Sequence, residues 1–560
     1  MIIQRSQALR KLLLTLAILV LWPGSASAAQ TGTTGSRPNF LLIVADDLGY
    51  SDFTPFGGEI PTPALQALAE EGLRMGSFYT APTCSPARAM LFSGVDNHKA
   101  GIGTMREVLD RYPDLQNQPG YEGYLLDSVY SLPDILRRNG YRTYMSGKWH
   151  LGEKRGHWPV DKGFDRSFAL LQAGASHYDS RLPLFPPSEG LDYLVSYVED
   201  GAEVPLPDDF YSSRDYADKL IGYLDTHPDD APFFAYLAFT APHDPLHSPP
   251  EWSAKFKGWY DEGYDALRER RIDAVTAQGL LPPDVAPAAR LPHVQPWDEL
   301  PHAAQTDAAH KMEIYAGMVA NMDHQIGRVV NALKERGLYD NTVIIFFSDN
   351  GANGNQYERY PRTMPDWLPE NFDNNRENWG KKGSRISVGA GWAHASMAPF
   401  RLLKFFTAEG GIRSPFIAAG PGITRRGETD AGTVAHIMDI APTLYAMAGI
   451  TLPEEIDGIN PAPVQGQSMA AYFGGAAGPV HDDYIGWELF GSRAIRKGDW
   501  KLLWVNRFDG TPGGWELFNI ATDPAETRDL ADSNPAKLDE LKADWADYVA
   551  RNGVIDISNR

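Results

Sequence analysis

The sequence has one cysteine, Cys84, among 560 residues, so an internal disulfide bond is excluded. Basic residues are also scarce: 51 lysines and arginines stand against 72 aspartates and glutamates, which gives a formal net charge of −21. A chain with this charge is not expected to bind nucleic acid or an anionic membrane surface. After residue 28 there is no apolar run of the ~18 residues that a membrane-spanning helix needs, so we expect no membrane anchor.

The first 28 residues have the pattern of a signal peptide. A basic start precedes the apolar run "LLLTLAILVLW", and the small residues "ASA" follow at 26–28. The apolar run is too short to span a bilayer, and the small residues at 26–28 suit cleavage by signal peptidase. We therefore expect an exported protein, periplasmic or secreted, whose mature chain begins with a flexible leader at residues 29–38.

Continuous apolar runs separated by helical patterns indicate an α/β fold. The runs are "NFLLIVADD" (39–47), "RTYMSGKWH" (142–150), "FFAYLAFTAPH" (233–243), "TVIIFFSDNG" (342–351) and "SPFIAAGPG" (414–422). Such runs are typical of strands buried on both faces. The clearest helical pattern covers 310–337, with apolar residues every three or four positions. We predict a large mixed, mostly parallel sheet sandwiched by helices over residues 39–450.

The pattern changes after residue 450. Short segments such as "DYIGWEL" and "SRAIRKGDWKLLWV" have tight connections, and "NPAKLDELKADWADYVARNG" (534–553) reads as a closing helix. Residues 451–560 are therefore predicted to form a smaller C-terminal α+β subdomain with an antiparallel sheet.

Four of the apolar runs end in polar residues, which a parallel sheet would bring to one edge. These residues are Asp46 and Asp47, Lys148 and His150, His243, and Asp349 with Asn350. Any one of these sets alone would ordinarily be turn or cap residues. The prediction of a functional site therefore depends on all four sets meeting at the same edge of the sheet. The aspartates and Asn350 offer only oxygen ligands, which suit Ca²⁺ or Mg²⁺ rather than zinc. Ca²⁺ is the prediction, because Mg²⁺ demands stricter octahedral geometry.

Cationic and histidine side chains are predicted to surround that metal. They are Arg88, Lys148, His150, His243 and Lys404. Hydrogen-bond donors and positive charges around a divalent ion are what a tetrahedral oxyanion substrate requires. The net negative charge of the whole chain does not oppose this, because remote exposed charges are screened by salt.

At this point the sequence resembles the type I sulfatases of the alkaline phosphatase superfamily. "CSPARAMLFSG" (84–94) matches their Cys-x-Pro-x-Arg signature, and "GKWHLG" (147–152) matches their second signature. "ADD", "APH", "SDNG" and "PFR…K…EGG" follow the family's order, from about residue 38 to the last helix. The segment "SVGAGWAHASMAPFR" (387–401) looks like bacterial arylsulfatases. The resemblance implies hydrolysis of sulfate monoesters, most readily aryl sulfates, to inorganic sulfate and a phenol or alcohol.

The resemblance also implies the site chemistry. Cys84 would be oxidised to Cα-formylglycine by a formylglycine-generating enzyme that acts on the unfolded chain. The implied metal ligands are Asp46, Asp47, residue 84, Asp349 and Asn350. Arg88 and Lys148 would steady the hydrated aldehyde, and His150 would be the base for sulfate release. His243 and Lys404 would contact the sulfate group, with His243 protonating the leaving oxygen.

Two departures and two alternatives stay open. Many family members have histidine where this chain has Ala408, and His394 is either a substrate contact or an ordinary loop residue. One rival function is a formylglycine-dependent phosphonate monoester or phosphodiester hydrolase, although such enzymes tend to carry histidine at the position of Asn350. The other is a sulfate-ester-binding pseudoenzyme with an unmodified thiol. A two-zinc enzyme is disfavoured, because it would need more histidine ligands.

Overall fold

The structure is a computed structural model that describes residues 37–109, 111–184, 195–356, 366–505 and 513–557. The predicted signal peptide, and all but the last two residues of the leader, lie outside the described residues. Within those ranges the larger sheet contains β1 (Asn39–Asp46), β2 (Leu73–Tyr79), β3 (Arg142–Lys148), β4 (Arg166–Leu170), β5 (Tyr197–Glu199), β6 (Ala202–Glu203), β7 (Phe233–Pro242), β8 (Thr342–Ser348), β9 (Arg413–Ala419), β10 (Glu428–Asp430) and β11 (Ala435–His436). The smaller sheet contains β12 (Ile485–Leu489), β13 (Ser492–Lys497), β14 (Trp500–Trp504) and β15 (Glu516–Asn519).

The helices of the described residues vary from single turns to one long helix. They are α1 (Pro63–Glu71), α2 (Cys84–Ser93), α3 (Arg106–Leu109), α4 (Leu132–Arg138), α5 (Ser212–Asp225), α6 (Pro250–Ser253), α7 (Gly263–Ala277), α8 (His302–Glu335), α9 (Trp367–Asn371), α10 (Ala390–Ser396), α11 (Glu409–Ile412), α12 (Ile440–Met447), α13 (Ala470–Phe473) and α14 (Pro535–Asn552). None of these helices has both the length and the apolar character needed to cross a membrane.

The larger sheet has the strand order β10-β2-β9-β8-β1-β7-β3-β4-β5-β6, with β11 beside β2. Its centre, β8-β1-β7-β3-β4, is parallel, and the pairs toward both edges include antiparallel ones. Along β1, Phe40, Leu42 and Val44 pack into the core on one face, and Leu41 and Ile43 pack into the core on the other. Burial on both faces explains why these strands are continuously apolar. The predicted mixed, mostly parallel α/β fold is confirmed.

Helix α8 differs from the prediction at its start. The periodic pattern predicted a helix over 310–337, but α8 begins eight residues earlier, at His302, directly after Pro301. Its first eight residues, "HAAQTDAA", contain four alanines and no large apolar residue. Alanine favours a helix without producing an apolar stripe, so periodicity could not detect these turns. The predicted stop is consistent with Gly337, which adopts a left-handed φ of 67°.

The second sheet is antiparallel throughout and is followed by α14, as the C-terminal pattern predicted. The boundary at residue 450 stays a prediction. A buried ion network joins this sheet to the larger one. The ammonium of Lys501, in β14, lies 2.8 Å from one oxygen of Glu409 and 2.8 Å from one oxygen of Glu526. Tyr79, at the end of β2, donates a hydrogen bond to Glu409 at 2.7 Å.

We expect Lys501→Met to destabilise the fold by about 3–5 kcal/mol, because it leaves two buried carboxylates without their shared cation. Thermal unfolding followed by calorimetry measures the change. Lys497→Met is the matched control: Lys497 lies in the adjacent strand and pairs with Asp544 at 3.0 Å, but is 34% exposed. Loss of that pair should change stability by less than about 1 kcal/mol. Equal losses of unfolding free energy in the two variants would contradict the role of Lys501 as the buried cation shared by Glu409 and Glu526.

Candidate active site

The carboxyl ends of β1 and β8 bring three carboxylates together. Asp46 is the last residue of β1, and Asp349 directly follows β8, the neighbouring parallel strand. The Asp47 backbone N–H donates to Oδ1 of Asp349 at 3.4 Å. Asp47 itself has a left-handed φ of 66°, which a non-glycine residue adopts only when its surroundings impose it. All three side chains are buried.

Cys84 faces this acidic edge from the start of α2. It is the first residue of the helix, after the extended N-cap Thr83, and it is buried. Its thiol donates to Oδ1 of Asp46 at 3.2 Å, and Sγ lies 3.8 Å from Oδ1 of Asp47. The exposed N–H groups of a helix N-terminus stabilise negative charge. Residue 84 thus lies between this helix N-terminus and two aspartates, whose negative charges have the opposite effect.

Two lysines neutralise the aspartates of β1. Lys148, the last residue of β3, donates to Oδ2 of Asp46 at 2.7 Å. Lys404 donates to both oxygens of Asp47, at 2.7 and 2.9 Å, and its ammonium is 3.2 Å from Sγ of Cys84. Both lysines are almost completely buried. The end of β3 thus supplies the cation that pairs with Asp46, and the loop before α11 supplies the one that pairs with Asp47.

Arg88, one turn after Cys84 on α2, neutralises the third carboxylate. Its Nε and Nη2 donate to the same oxygen of Asp349 at 3.0 and 2.8 Å. Its Nη1 donates to the backbone carbonyl of Lys148 at 2.9 Å and to the hydroxyl of Tyr236 at 3.2 Å. The four-residue spacing between Cys84 and Arg88 places both side chains on one face of the helix.

These groups have strongly shifted pKa values. Burial alone would raise the pKa of Asp46, but Lys148, His243 and Arg88 outweigh it and hold the pKa well below its usual range. Burial, with the charge of Asp46, raises the pKa of Asp349 to about 6. Burial and the charges of both aspartates raise the pKa of the Cys84 thiol. As a cysteine, residue 84 is thus a poor thiolate nucleophile.

His243 follows β7 and completes the cluster. Its Nε2 is 3.5 Å from Oδ2 of Asp47, and its Nδ1 is 2.5 Å from the backbone carbonyl oxygen of Asp244. Burial lowers its pKa to about 4, with Asp47 opposing the shift and Lys404 adding to it. His243 is therefore neutral at pH 7 before an anionic substrate arrives.

The residues present fit a hard divalent cation. Ligand atoms of Asp46, Asp47, Cys84 and His243 all lie within 4.8 Å of one another. Asn350 donates from Nδ2 to Oδ1 of Asp47 at 2.6 Å, while its buried Oδ1 has no hydrogen-bond partner among the described residues. A 180° rotation of that amide would turn a further oxygen ligand toward the aspartates. The predicted ligand set, which includes Asp349 and residue 84, stays a prediction.

Two residues near the site were not found from the sequence. Glu107, in α3, lies against His150, and Tyr236, inside β7, contacts Arg88. Tyr236 lies in a continuously apolar strand, and Glu107 lies outside any periodic segment, so no sequence pattern pointed to a functional role for either residue.

His394 is buried in α10, where burial, with the charges of Arg268 and Arg290, lowers its pKa to about 3.

The fold and the site together define a class: an α/β protein of the alkaline phosphatase-like type, whose strand ends hold carboxylates, cations and a residue 84 at the start of a helix. Comparison with known proteins is more specific. The sulfatase family model matches residues 38–450, and the model of the N-sulphoglucosamine sulphohydrolase C-terminal region matches residues 402–548. The chain therefore belongs to the sulfatase family and is a sulfuric ester hydrolase. Members of this family generally use formylglycine and a divalent metal.

Individual relatives cover most of the chain. An uncharacterized sulfatase of Schizosaccharomyces pombe is 43% identical over 93% of this chain and 94% of its own length. An arylsulfatase of Klebsiella aerogenes is 43% identical over 81% of this chain and 95% of its own length. The solved structure of Ps i-CgsB in complex with k-i-k-neocarrahexaose has a TM-score of 0.63 at 26% identity and covers 94% of both chains.

Proposed function

We propose that this enzyme hydrolyses aryl sulfates through a hydrated formylglycine formed from Cys84. The observation that carries the proposal is the position of Cys84 Sγ. It lies at a helix N-terminus, within 3.8 Å of Asp46, Asp47 and Lys404 side-chain atoms. An oxygen nucleophile there would meet the carboxylates, the cations and the predicted metal at one point.

The chemistry explains why an aldehyde hydrate suits this position. It carries two hydroxyl groups on one carbon. One attacks sulfur, and the S–O bond to the phenol or alcohol breaks. Removal of the proton from the second hydroxyl then restores the C=O bond, and the C–O bond to the sulfate group breaks with its electron pair leaving on sulfate. Water then adds to the C=O carbon and restores the hydrate. A difficult hydrolysis is thereby divided into easier steps, with no attack of water on sulfur.

The charges around residue 84 suit a sulfate monoester. Three buried carboxylates face three buried cations, so these side chains are balanced by themselves. A divalent ion held by the predicted ligand set would add two positive charges and act as a Lewis acid. One negative charge on the sulfate monoester and one developing on the nucleophile would restore neutrality. We assign Ca²⁺, because the predicted ligands offer oxygen atoms and Mg²⁺ demands a stricter octahedral geometry.

The remaining side chains have roles in this scheme. Arg88 and Lys148 hold the hydrated aldehyde, and His150 accepts the proton that releases sulfate. Lys404 and His243 contact the sulfate group. His243 also protonates the leaving oxygen, once the bound anion has raised its pKa from about 4.

Aryl sulfates are the proposed substrates because the arylsulfatase of Klebsiella aerogenes is 43% identical to this chain over 95% of its own length. Carbohydrate sulfates are the main alternative. The proposed location is the periplasm, and the proposed partner in maturation is a formylglycine-generating enzyme that acts before folding.

Peptide mass spectrometry and a substrate panel test the function. We expect the peptide containing residue 84 to carry formylglycine in protein from the native host. We also expect 4-nitrophenyl sulfate to be turned over faster than phenyl phosphonate and sulfated monosaccharides. An unmodified thiol in active enzyme would contradict the mechanism, and preference for phenyl phosphonate would indicate the phosphonate hydrolase instead.

We expect His243→Ala to harm alkyl sulfates far more than aryl sulfates. Loss of a general acid costs about 100- to 1,000-fold when the leaving group is a poor one, such as an alkoxide. A nitrophenoxide needs little protonation, so its rate should fall by less than about 10-fold. The measurement is log(kcat/KM) against leaving-group pKa, which should become steeper in the variant. An unchanged slope would remove His243 from this role.

A further inference from the structure

A partly buried carboxylate, that of Glu107, contacts the histidine that follows β3. Nε2 of His150 lies 3.2 Å from each carboxylate oxygen of Glu107, which belongs to the short helix α3. The side chain of His150 is only 4% exposed. The two residues are 43 positions apart in the chain, so the contact depends on the tertiary fold.

The other ring nitrogen of His150 has a different environment. Nδ1 is buried and has no hydrogen-bond partner among the described residues. His150 also has a left-handed φ of 59°, two residues beyond the end of β3, a backbone conformation that is uncommon for a residue other than glycine. The ring lies within the electrostatic reach of Lys148 and Arg88, which both disfavour its protonated form.

Glu107 is held as an anion. Oε1 accepts a hydrogen bond from the backbone N–H of Ala173 at 3.3 Å and also lies 3.2 Å from Nε2 of His150, but the hydrogen bond with Nε2 is formed by Oε2, at 3.2 Å. Burial would raise the pKa of Glu107, but the contact with His150 and a backbone hydrogen bond outweigh it and lower the pKa. Burial lowers the pKa of His150, with Glu107 only partly opposing the shift. At neutral pH the pair is a carboxylate and a neutral imidazole.

We propose that Glu107 is a positioning residue that fixes the tautomer of His150. A neutral imidazole has one N–H, and an ionised carboxylate can only accept a hydrogen bond. Glu107 therefore places the proton on Nε2 and leaves the lone pair of Nδ1 free to accept another. The inference rests on the proposed function, in which His150 takes the proton of the second hydroxyl, the C=O bond forms and sulfate leaves.

Glu107→Gln should reverse the tautomer. The backbone N–H of Ala173 requires an acceptor, so the glutamine carbonyl oxygen stays there and its NH₂ group faces His150. The NH₂ group can only donate, so the proton of the imidazole moves from Nε2 to Nδ1 and the base is lost. Glu107→Ala imposes neither tautomer. The isosteric variant should thus be more damaging than the truncation, which is the reverse of what a purely structural role predicts.

Steady-state and rapid-mixing kinetics with 4-nitrophenyl sulfate test whether Glu107→Gln is more damaging than Glu107→Ala. We expect kcat to fall about 100-fold or more in Glu107→Gln and about 10-fold in Glu107→Ala. Because the first step does not need His150, Glu107→Gln should still release close to one equivalent of nitrophenol in a burst. Glu153→Gln is the control. Burial, followed by the negative charge of nearby Glu107, raises the pKa of Glu153 to about 7. Its kcat should stay within 3-fold of wild type.

Two further measurements separate this inference from the proposed function. In a double-mutant cycle, Glu107→Gln should cause no further loss of kcat in a His150→Ala background. Neutron diffraction from deuterium-exchanged crystals should show deuterium on Nε2 of His150 in the wild type and on Nδ1 in Glu107→Gln, whatever the reaction. Additive losses, a milder effect of Gln than of Ala, or deuterium on Nδ1 in the wild type would each overturn the inference. A wild-type residue 84 without formylglycine would overturn the proposed function, while the neutron result still decides the tautomer.

Discussion

Cys84→Ser should turn over once and then stop. A serine hydroxyl at this position meets the same carboxylates and cations as the thiol, whose Sγ is 3.2 Å from both Asp46 Oδ1 and Lys404 Nζ. Attack on an aryl sulfate would release the phenol and leave an alkyl sulfate on residue 84. That ester has no second hydroxyl on the same carbon, so sulfate cannot be expelled by elimination. We expect steady-state kcat to fall by roughly 10⁴-fold or more, the order found when a nucleophile is removed.

The measurement is the amount of nitrophenol released per enzyme molecule and the mass added to residue 84. One equivalent of nitrophenol per enzyme is expected, together with a peptide over residue 84 that is heavier by one SO₃ group. Cys84→Ala is the control, because it has no nucleophile and should show neither the burst nor the added mass. Sustained turnover by Cys84→Ser would contradict the need for an aldehyde hydrate. The serine peptide must be shown to be unoxidised before the result is interpreted.

The strand ends were predictable because two separate signals coincide there. The strands that end at Asp46, Lys148, Pro242 and Ser348 are buried at every position except Arg142, and three of them contain long apolar runs, which is typical of strands with two buried faces. In the structure these four strands are neighbours, in the order β8-β1-β7-β3. Polar residues directly after parallel neighbours must meet at one edge, so strand type alone places the acidic residues together.

Contacts that depend on irregular segments were not predictable. Glu107 reaches His150 from a four-residue helix, and Glu409 reaches Lys501 in the second sheet, 92 residues later. Neither pair has a spacing or a periodicity that a sequence could show. Lys404 was predicted to join the cations around the metal, but no sequence pattern could orient it, because it lies in a loop and not at the end of a strand. Its position depends on backbone hydrogen bonds, such as that from Lys404 N–H to the carbonyl of Ala352 at 3.1 Å.

Removal of the divalent cation is expected to abolish activity and lower the melting temperature. The buried cations already balance the buried carboxylates, so without the metal nothing compensates the two charges that the substrate and nucleophile bring. We expect kcat/KM to fall by about 1,000-fold or more after chelation, since metal and oxyanion stabilisation contribute several kcal/mol. Ca²⁺ should restore activity more fully than Mg²⁺. At ~1,000 times its Kd, the ion should add about 4 kcal/mol of stability.

The cation affinity should also depend on pH in a defined direction. A carboxyl group binds a cation only when it is ionised, and Asp349 has a pKa raised to about 6 by burial and by Asp46. Protons therefore compete with the metal below that pH, and the cation affinity measured by calorimetry should weaken as pH falls from 7 to 5.

Asn350→Ala should weaken binding of the cation at least 10-fold at pH 7. Asn353→Ala, three residues further along the chain, is the matched control and should leave it unchanged. Full activity in a thoroughly chelated sample, or affinity that rises as pH falls, would be incompatible with a cation at this acidic edge.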